Sequence, residues 1–151
     1  KENQIEELAK NLNGCRILLA EDNDLNAEIA MTILQEHGVQ VERAVNGEEC
    51  VEMLKAQTAD YYDAVLMDIQ MPVMNGYDAA RAIRQLTTPH AAVSIIAMTA
   101  NAFEEDKQKA FAAGMDAYIT KPVDVVSMMK TLHQIIETHR SDPDLSENKY
   151  L

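Results

Sequence analysis

The residue that points most directly to chemistry is Asp68, which ends the largely apolar segment 62–67 and precedes Pro72 and Gly76. Proline and glycine interrupt regular structure, so a loop must follow Asp68 before the next helix begins. Nothing in a packed core requires a carboxylate at the end of a buried strand. The pattern therefore predicts an acidic side chain that a ligand can reach.

Three other apolar segments end in polar residues in the same way. They end in Glu21-Asp22, in Thr99 and in Lys121. Because the carboxyl ends of parallel strands lie along one edge of a sheet, we expect these side chains to converge in the crevice where such folds bind ligands. The sequence thus predicts one site built from four strand ends.

The carboxylates of Glu21, Asp22 and Asp68 suit a divalent cation. Three acids brought together repel one another, which raises a pKa or demands a positive ion. A small set of hard oxygen ligands suits Mg²⁺, which binds one or two protein carboxylates with waters and phosphate oxygens. We expect Asp22 and Asp68 as direct ligands and Glu21 as a ligand through water, with Mn²⁺ as the alternative ion. A solvated acidic loop is the competing interpretation.

Asp68, Lys121 and Thr99 form a set suited to phosphoryl transfer, which depends on positioning and charge neutralisation. The Asp68 carboxylate is the candidate nucleophile and would form an aspartyl phosphate. Lys121 supplies a compact positive charge for Asp68 and then for the phosphoryl group. Thr99 supplies a hydroxyl for a phosphoryl oxygen. Taken singly, Lys121 is typical of a surface lysine and Thr99 of a turn residue.

The elements that must position these residues alternate along the chain. Apolar residues at helical spacing follow the apolar segments, as at Leu25, Ile29, Ile33 and Leu34 after the first strand. Five strands alternating with five helices predict an α/β domain, a three-layer sandwich with right-handed crossovers. Segment 39–44 alternates in polarity, so it is expected at a sheet edge.

The chain is expected to comprise one domain and two flanking segments. Residues 15–140 form the domain, since about 100–200 residues is the usual size. Residues 1–14, with helical spacing at Ile5, Leu8 and Leu12, are a linker or the end of an upstream helix. Residues 141–151 are expected to be a disordered C-terminal tail, too short for an output domain.

Composition narrows the class of protein. The chain has 25 acidic and 13 basic side chains and a formal charge of −12, whereas a nucleic-acid surface needs clustered lysine and arginine. No apolar stretch approaches membrane-spanning length. Cys15 and Cys50 fit no disulfide or metal motif and are expected to be buried free thiols. We expect a cytoplasmic protein with no nucleic-acid partner and no membrane contact through this segment.

The polar strand ends, taken in order, resemble a known family. Glu21-Asp22, the segment from Asp68 to Gly76, Thr99-Ala100 and Lys121-Pro122 are similar to motifs of the receiver domain of two-component response regulators. The resemblance covers residues 16–139 and is greatest to receivers attached to hybrid sensor histidine kinases. It implies a flavodoxin-like, doubly wound sheet of five parallel strands in the order 2-1-3-4-5.

The resemblance also implies roles for single residues. Asp68 would accept a phosphoryl group from phosphohistidine, and the backbone carbonyl of Gln70 would complete the metal ligands. A cis peptide bond between Lys121 and Pro122 would aim the lysine into the site. Tyr118 would be the switch aromatic, which turns inward as a hydroxyl on the neighbouring strand, that of Thr99, moves toward the phosphoryl group.

The implied partners are the phosphodonor domain of a histidine kinase, a histidine phosphotransfer protein, or both. A homodimer through the switch face is a further expectation. The fragment would catalyse only its own phosphorylation and dephosphorylation. The implied parent chain is a histidine kinase, which can itself be anchored in a membrane.

Three alternatives remain open at this point. A stand-alone single-domain response regulator has the same motifs as a receiver within a kinase. A haloacid-dehalogenase-like phosphatase also uses an aspartate nucleophile and Mg²⁺, but it needs a second aspartate where this chain has Gln70. A flavodoxin-like flavin binder needs a phosphate loop after the first strand, where Glu21 and Asp22 would repel phosphate.

Overall fold

Five parallel strands form one sheet, and helices cover both of its faces. The computed structural model describes residues 2–101 and 103–141. The strands are β1 (Arg16–Ala20), β2 (Gln40–Ala44), β3 (Ala64–Asp68), β4 (Ile95–Thr99) and β5 (Ala117–Thr120). The α-helices are α1 (Glu2–Leu12), α2 (Asp24–Glu36), α3 (Gly47–Lys55), α4 (Gly76–Arg84), α5 (Glu104–Ala112) and α6 (Val125–Ser141). A short 3₁₀ helix, Pro89–Ala92, precedes β4.

The predicted sheet is confirmed. The strand order is β2-β1-β3-β4-β5 and every pairing is parallel. Strand β3 is buried along its whole length at the centre, whereas β2 lies at an edge and is half exposed. Parallel pairing brings the carboxyl ends of all five strands to one side of the sheet, as the predicted site requires.

Side chains of the inner strands alternate between two hydrophobic cores, because successive residues of a strand point to opposite faces. In β3, Val65 and Met67 contribute to the core beneath α3, α4 and α5. Ala64 and Leu66 contribute to the opposite core, which α2 and α6 cover. Cys15 and Cys50 are both buried, as predicted. Both faces are therefore closed, which fixes the register of β3 and the position of Asp68 at its end.

The predicted count of five helices is one short, because α1 adds a sixth α-helix to the described residues. Leu12 is 1% exposed and belongs to the core of α2 and α6, and Leu8 packs against that core. Asn11 Nδ2 lies 3.0 Å from Nε2 of His133 in α6. The segment predicted to be a linker or the end of an upstream helix thus packs on the domain. The domain bounds 15–140 remain a prediction.

The predicted helix α2 is confirmed, and of the apolar residues that indicated it Leu34 is buried and Ile33 is half-buried. Leu25 and Ile29 are 65% and 47% exposed. Ala27 and Ala30 face the core beside Leu34, in place of Leu25 and Ile29. Small residues at this face let α2 lie close to the sheet, and Leu25 and Ile29 remain on the surface.

Asparagine side chains begin three of the helices that follow strands. Asn23, Asn46 and Asn75 each accept a hydrogen bond from the backbone N–H three residues later, at 2.9, 2.8 and 2.9 Å. Such caps satisfy N–H groups that the first turn of a helix leaves unpaired. They fix the start of α2, α3 and α4, and so define the loops after β1, β2 and β3.

The loop after Asp68 is held close to the following helix at Gly76. A Cβ atom at Gly76 would lie 2.3 Å from the backbone oxygen of Asp68, so only glycine fits this approach. The Gly76 N–H donates to the carbonyl of Ile69 at 2.9 Å. In the same loop Val73 has a φ of 68°, a left-handed conformation that costs a β-branched residue free energy. The predicted loop is therefore tight.

Within the described ranges, no helix combines the length and apolar character needed to cross a membrane. Of the predicted disordered tail, residues 142–151 lie outside the described part of the chain.

Candidate functional site

Polar residues at four strand ends line one open cavity of about 770 Å³. Glu21 follows β1, Asp68 ends β3, Thr99 ends β4 and Lys121 follows β5. The cavity wall also includes residues from the adjoining loops and from three helices, namely Asn23 and Asn101 in loops, Asn26 in α2, Tyr77 in α4, and Asp106 and Lys109 in α5. The structure thus brings together the four strand ends that the sequence singled out.

Glu21, Asp22 and Asp68 form a carboxylate cluster. One carboxylate oxygen from each lies within 4.8 Å of the others, so a single ion could contact all three residues. Glu21 and Asp68 are 2% and 4% exposed, whereas Asp22 is exposed. Buried acids without a cation cost free energy, and oxygen-only ligands favour Mg²⁺ or a similar hard ion. The cluster fits the predicted metal.

Lys121 supplies the positive charge beside these acids. Its Nζ lies 3.1 Å from Oε1 of Glu21 and 3.1 Å from Oδ1 of Asp68. Burial lowers the pKa of Lys121, but the hydrogen bonds and ion pairs with Asp68 and Glu21 outweigh burial and leave the pKa above its ordinary value. The ammonium group therefore stays charged at neutral pH. The peptide bond between Lys121 and Pro122 is cis.

The surroundings of Glu21 disfavour its charged form. Burial raises the pKa of Glu21 most, and the neighbouring Asp68 raises it further. The N–H of Asn23, which donates to Oε2 at 3.2 Å, and the ammonium of Lys121 act in the opposite direction. The net shift is upward, so a bound cation would relieve an unfavourable charge.

Asp68 is fixed by the backbone around it. Its Oδ1 accepts a hydrogen bond from the N–H of Gln70 at 3.3 Å. The next residue, Ile69, donates its N–H to the carbonyl of Met98 at 3.1 Å. Gln70 is exposed and lines the cavity, as expected for a residue whose carbonyl could contact an ion. The acid thus has one oxygen engaged by Lys121 and Gln70 and an open cavity before it.

Thr99 lies in the cavity but its hydroxyl is engaged elsewhere. The Thr99 hydroxyl donates to the carbonyl of Asn101 and accepts from the N–H of Asn101, both at 3.1 Å. This arrangement keeps the hydroxyl in its own loop. For the Thr99 hydroxyl to reach a phosphoryl group on Asp68, its two hydrogen bonds with Asn101 would have to break.

Tyr118 does not line the carboxylate cavity. Its half-buried ring packs against α5, with the Lys107 Nζ 4.7 Å above the ring centroid. The Phe111 ring lies 6.2 Å away in an edge-on arrangement. A cation above an aromatic face and an edge-on ring are both favourable contacts. These two residues of α5, which the sequence analysis did not single out, hold Tyr118 in this position.

Arg43, which no sequence pattern indicated, also contacts the loop after β1. Its Nε donates to the carbonyl of Glu21 at 2.9 Å. The alternating polarity of β2 indicated a half-exposed strand, and in such a strand an arginine is usually a solvated residue. Only the adjacent register of β1 and β2, Leu19 opposite Arg43, brings it to the site.

Comparison with known proteins identifies the family. The sequence profile of the response regulator receiver domain matches residues 17–133, more than half of the 151 residues. The chain therefore belongs to the family of response regulator receiver domains, which act in two-component phosphorelay signalling.

Curated relatives are much longer than this chain. Hybrid signal transduction histidine kinase L of Dictyostelium discoideum is 39% identical over 112 residues, which cover 72% of this chain and 6% of the relative. The predicted resemblance to receivers of hybrid histidine kinases is confirmed by this similarity.

Solved structures give the same family. The receiver domain of sensor histidine kinase PA1611 from Pseudomonas aeruginosa PAO1, solved with a magnesium ion coordinated in the active site cleft, is 36% identical. It superposes with a TM-score of 0.74 over 82% of this chain and 98% of that chain. The receiver domain of Saccharomyces cerevisiae Ssk1, crystallised with the histidine phosphotransfer protein Ypd1, is 29% identical. Its TM-score is 0.76 over 88% of this chain and 95% of that chain.

The raised pKa of Glu21 predicts the effect of Glu21→Gln on stability. An acid with a raised folded-state pKa stabilises the fold below its unfolded pKa of about 4.3, and this contribution is lost as pH rises through the folded-state pKa. At pH 7.5 without Mg²⁺, we expect Glu21→Gln to raise the free energy of unfolding by about 1 kcal/mol, measured in urea. At pH 4 the difference should vanish.

Saturating Mg²⁺ should make the wild type the more stable of the two proteins at pH 7.5. Because an ion that binds only the folded state stabilises it, Mg²⁺ should stabilise the wild type more than Glu21→Gln. Glu28→Gln, on the exposed face of α2, is the matched control and should match the wild type throughout. If Glu21→Gln is less stable than the wild type in metal-free buffer at pH 7.5, the charged form of Glu21 is not unfavourable in the folded protein, and the prediction is wrong.

Proposed function

We propose that the chain is a magnesium-dependent phosphoacceptor, in which Asp68 takes a phosphoryl group from phosphohistidine. The observation that carries the proposal is the pairing of Lys121 Nζ, at 3.1 Å, with both Asp68 and Glu21 in an open cavity. Receiver-family membership supports the reaction class. Asp68 is an acid at a central strand end beside a lysine, which is the geometry that the reaction needs.

The metal would bind at the carboxylate cluster. In this proposal Asp22 and Asp68 are direct ligands, the backbone carbonyl of Gln70 is a third, and Glu21 acts through water. Bound Mg²⁺ would neutralise phosphoryl and carboxylate charge at the site, and Mn²⁺ is the alternative ion. The clustered oxygens and the relative solved with magnesium in its active site cleft support this assignment.

The proposed chemistry is a direct transfer. A carboxylate oxygen of Asp68 forms a bond to phosphorus while the bond from phosphorus to the donor imidazole nitrogen breaks. The imidazole leaves with the electron pair of the broken bond and takes up a proton. Lys121 then pairs with the phosphoryl oxygens instead of with Asp68 alone, and the hydroxyl of Thr99 donates to one of them.

The proposed switch links Thr99 to Tyr118. When the Thr99 hydroxyl leaves Asn101 for the phosphoryl group, space opens beside β5 and the Tyr118 ring moves from Lys107 and Phe111 toward the core. The ring already packs against the core beneath α3, α4 and α5, so a short movement would bury it. The face formed by α5, β5 and α6 would change, and a homodimer through this face is part of the proposal.

The proposed partners are the phosphodonor domain of a histidine kinase and a histidine phosphotransfer protein. The similarity to a receiver crystallised with such a phosphotransfer protein supports this choice. The chain spans between 4% and 14% of the length of the curated kinases it matches, so membership of a hybrid kinase is likewise proposed. A stand-alone regulator is the second candidate.

Asp68 is predicted to be the residue that becomes phosphorylated. With Mg²⁺ and either acetyl phosphate or a phosphorylated phosphotransfer protein, intact-mass spectrometry should detect one phosphoryl group on the wild type. In Asp68→Asn the phosphorylated fraction should fall about twentyfold or more, because an amide is a poor nucleophile.

Asp63→Asn is the matched control for this experiment. Asp63 lies just before the other end of β3, where its Oδ2 accepts the N–H of Arg16 at 2.8 Å. This variant should be phosphorylated like the wild type. Phosphate retained on Asp68→Asn, or mapped to a histidine such as His133, would refute the assignment of Asp68.

Thr99 is predicted to couple phosphorylation to Tyr118. Beryllofluoride mimics a phosphoryl group on a carboxylate, so its adduct should shift the NMR signals of the Tyr118 ring in the wild type. Thr99→Ala should still take up the adduct, but the Tyr118 shift should fall to less than about half, because the differential contact is gone. Thr120→Ala, whose residue lies opposite Thr99 in the register and is exposed, should respond fully. Equal responses in the wild type and Thr99→Ala would exclude the coupling.

A further inference from the structure

Arg43 joins the edge strand β2 to the loop that carries two of the three clustered acids. Its Nε donates to the backbone carbonyl of Glu21 at 2.9 Å. Its Nη1 lies 2.9 Å from Oδ1 of Asp24, two residues after Asp22. The guanidinium group therefore holds the loop on both sides of Asp22, one of the proposed direct ligands of the metal.

The backbone of Glu21 is fixed at both of its polar groups by β2. The N–H of Glu21 donates to the carbonyl of Ala44 at 3.1 Å. The carbonyl of Glu21 accepts from Arg43, the residue before Ala44. Two hydrogen bonds to neighbouring residues of one strand leave the Glu21 peptide units little freedom to rotate. The direction in which the chain enters Asp22 is set by this pair of bonds.

Stability does not explain why an arginine occupies this position. The remaining nitrogen, Nη2, is buried without a hydrogen-bond partner in the part of the chain that the structure describes. A buried donor without a partner lowers the stability of the fold. The ion pair with Asp24 stabilises the fold little, because the Asp24 side chain is 95% exposed. The contact left to account for Arg43 is its bond to Glu21.

Charge does not explain Arg43 either. A positive side chain beside a cation site repels the cation and weakens its binding. An arginine that supports metal binding from this position must therefore act through geometry. Contacts of this kind, one step removed from the ligands, orient the ligands of protein metal sites.

We propose that Arg43 is a positioning residue for magnesium binding, which fixes the Glu21-Asp22 segment in the conformation that the ion requires. This inference rests on the proposed function, because it assumes that the carboxylate cluster binds Mg²⁺. Arg43 does not contact the reacting atoms. It lowers the cost of ordering the loop when the ion binds, because the loop is ordered in advance.

The test is the magnesium affinity of Arg43→Met, which keeps an unbranched apolar stem and removes the guanidinium donors. The dissociation constant for Mg²⁺, from titration followed by the amide NMR signals of Glu21 and Asp22, should rise at least about fivefold. Without metal, the same two amide signals should already differ from those of the wild type. Removal of charge alone predicts the opposite change, a tighter Mg²⁺ complex.

Two variants separate positioning from other effects. Arg16→Met is the matched control: Arg16 lies on β1 at the end of the sheet away from the site, and its side chain is 31% exposed against 21% for Arg43. Its magnesium affinity should equal that of the wild type. Arg43→Lys keeps one donor for the Glu21 carbonyl, so it should recover part of the lost affinity.

The failure of this inference can be told apart from failure of the proposed function. If the wild type binds Mg²⁺ and Arg43→Met binds it as tightly or more tightly, the role of Arg43 is overturned and the phosphoacceptor proposal stands. Should Arg43→Met not fold, Arg43→Leu, which also lacks every donor to the Glu21 carbonyl, takes its place, and an unchanged magnesium affinity in it has the same meaning. If an Asp22→Ala, Asp68→Asn double variant binds Mg²⁺ like the wild type, both proposals fail.

Discussion

The pairing of Lys121 with two buried acids is the interaction on which the site depends. Glu21 and Asp68 are almost entirely removed from water, and burial of two like charges side by side is costly. One ammonium group, 3.1 Å from each, offsets part of this cost. Asp22 adds a third carboxylate, so the cluster remains short of positive charge. A site in this condition favours a divalent cation, and it favours a phosphoryl group only when that cation is present.

The fold makes this arrangement possible by bringing distant parts of the chain to one edge. Glu21 and Lys121 are 100 residues apart and follow β1 and β5, which lie on opposite sides of β3 and end at the same edge of the sheet. The two closed cores fix the registers of the inner strands, and asparagine caps fix the loops that follow. Gly76 lets the chain after Asp68 return close to its own backbone. The energy that holds the acids together therefore comes from the packing of the sheet.

Much of this could be predicted from the sequence, because the decisive signal is local. Apolar segments ending in Glu21, Asp68, Thr99 or Lys121 indicate strand ends, and parallel pairing then implies that these ends meet. Contacts that depend on packing could not be predicted. Leu25 and Ile29 have the spacing of a core face, yet small residues take that face of α2. Segment 1–14 has a helical pattern, but whether it packs on the domain depends on α6.

Arg43 is the clearest case of a residue whose role is invisible in the sequence. It lies 22 residues after Glu21, in a strand whose alternation indicates only that half of it is exposed. The same holds for the Lys107 and Tyr118 pair, since the facing side of α5 is set by tertiary packing. The sequence identifies groups that react, whereas the groups that hold them in position become visible only in three dimensions.

The most direct test of this account measures phosphorylation and Mg²⁺ binding in Lys121→Met. Because the lysine neutralises phosphoryl charge during transfer, the rate of Asp68 phosphorylation by acetyl phosphate at saturating Mg²⁺ should fall at least about tenfold, or ~1.4 kcal/mol. Because Lys121 also repels the cation, Mg²⁺ should bind at least as tightly as in the wild type. A variant phosphorylated at the wild-type rate would contradict the central role of the Lys121 pairing.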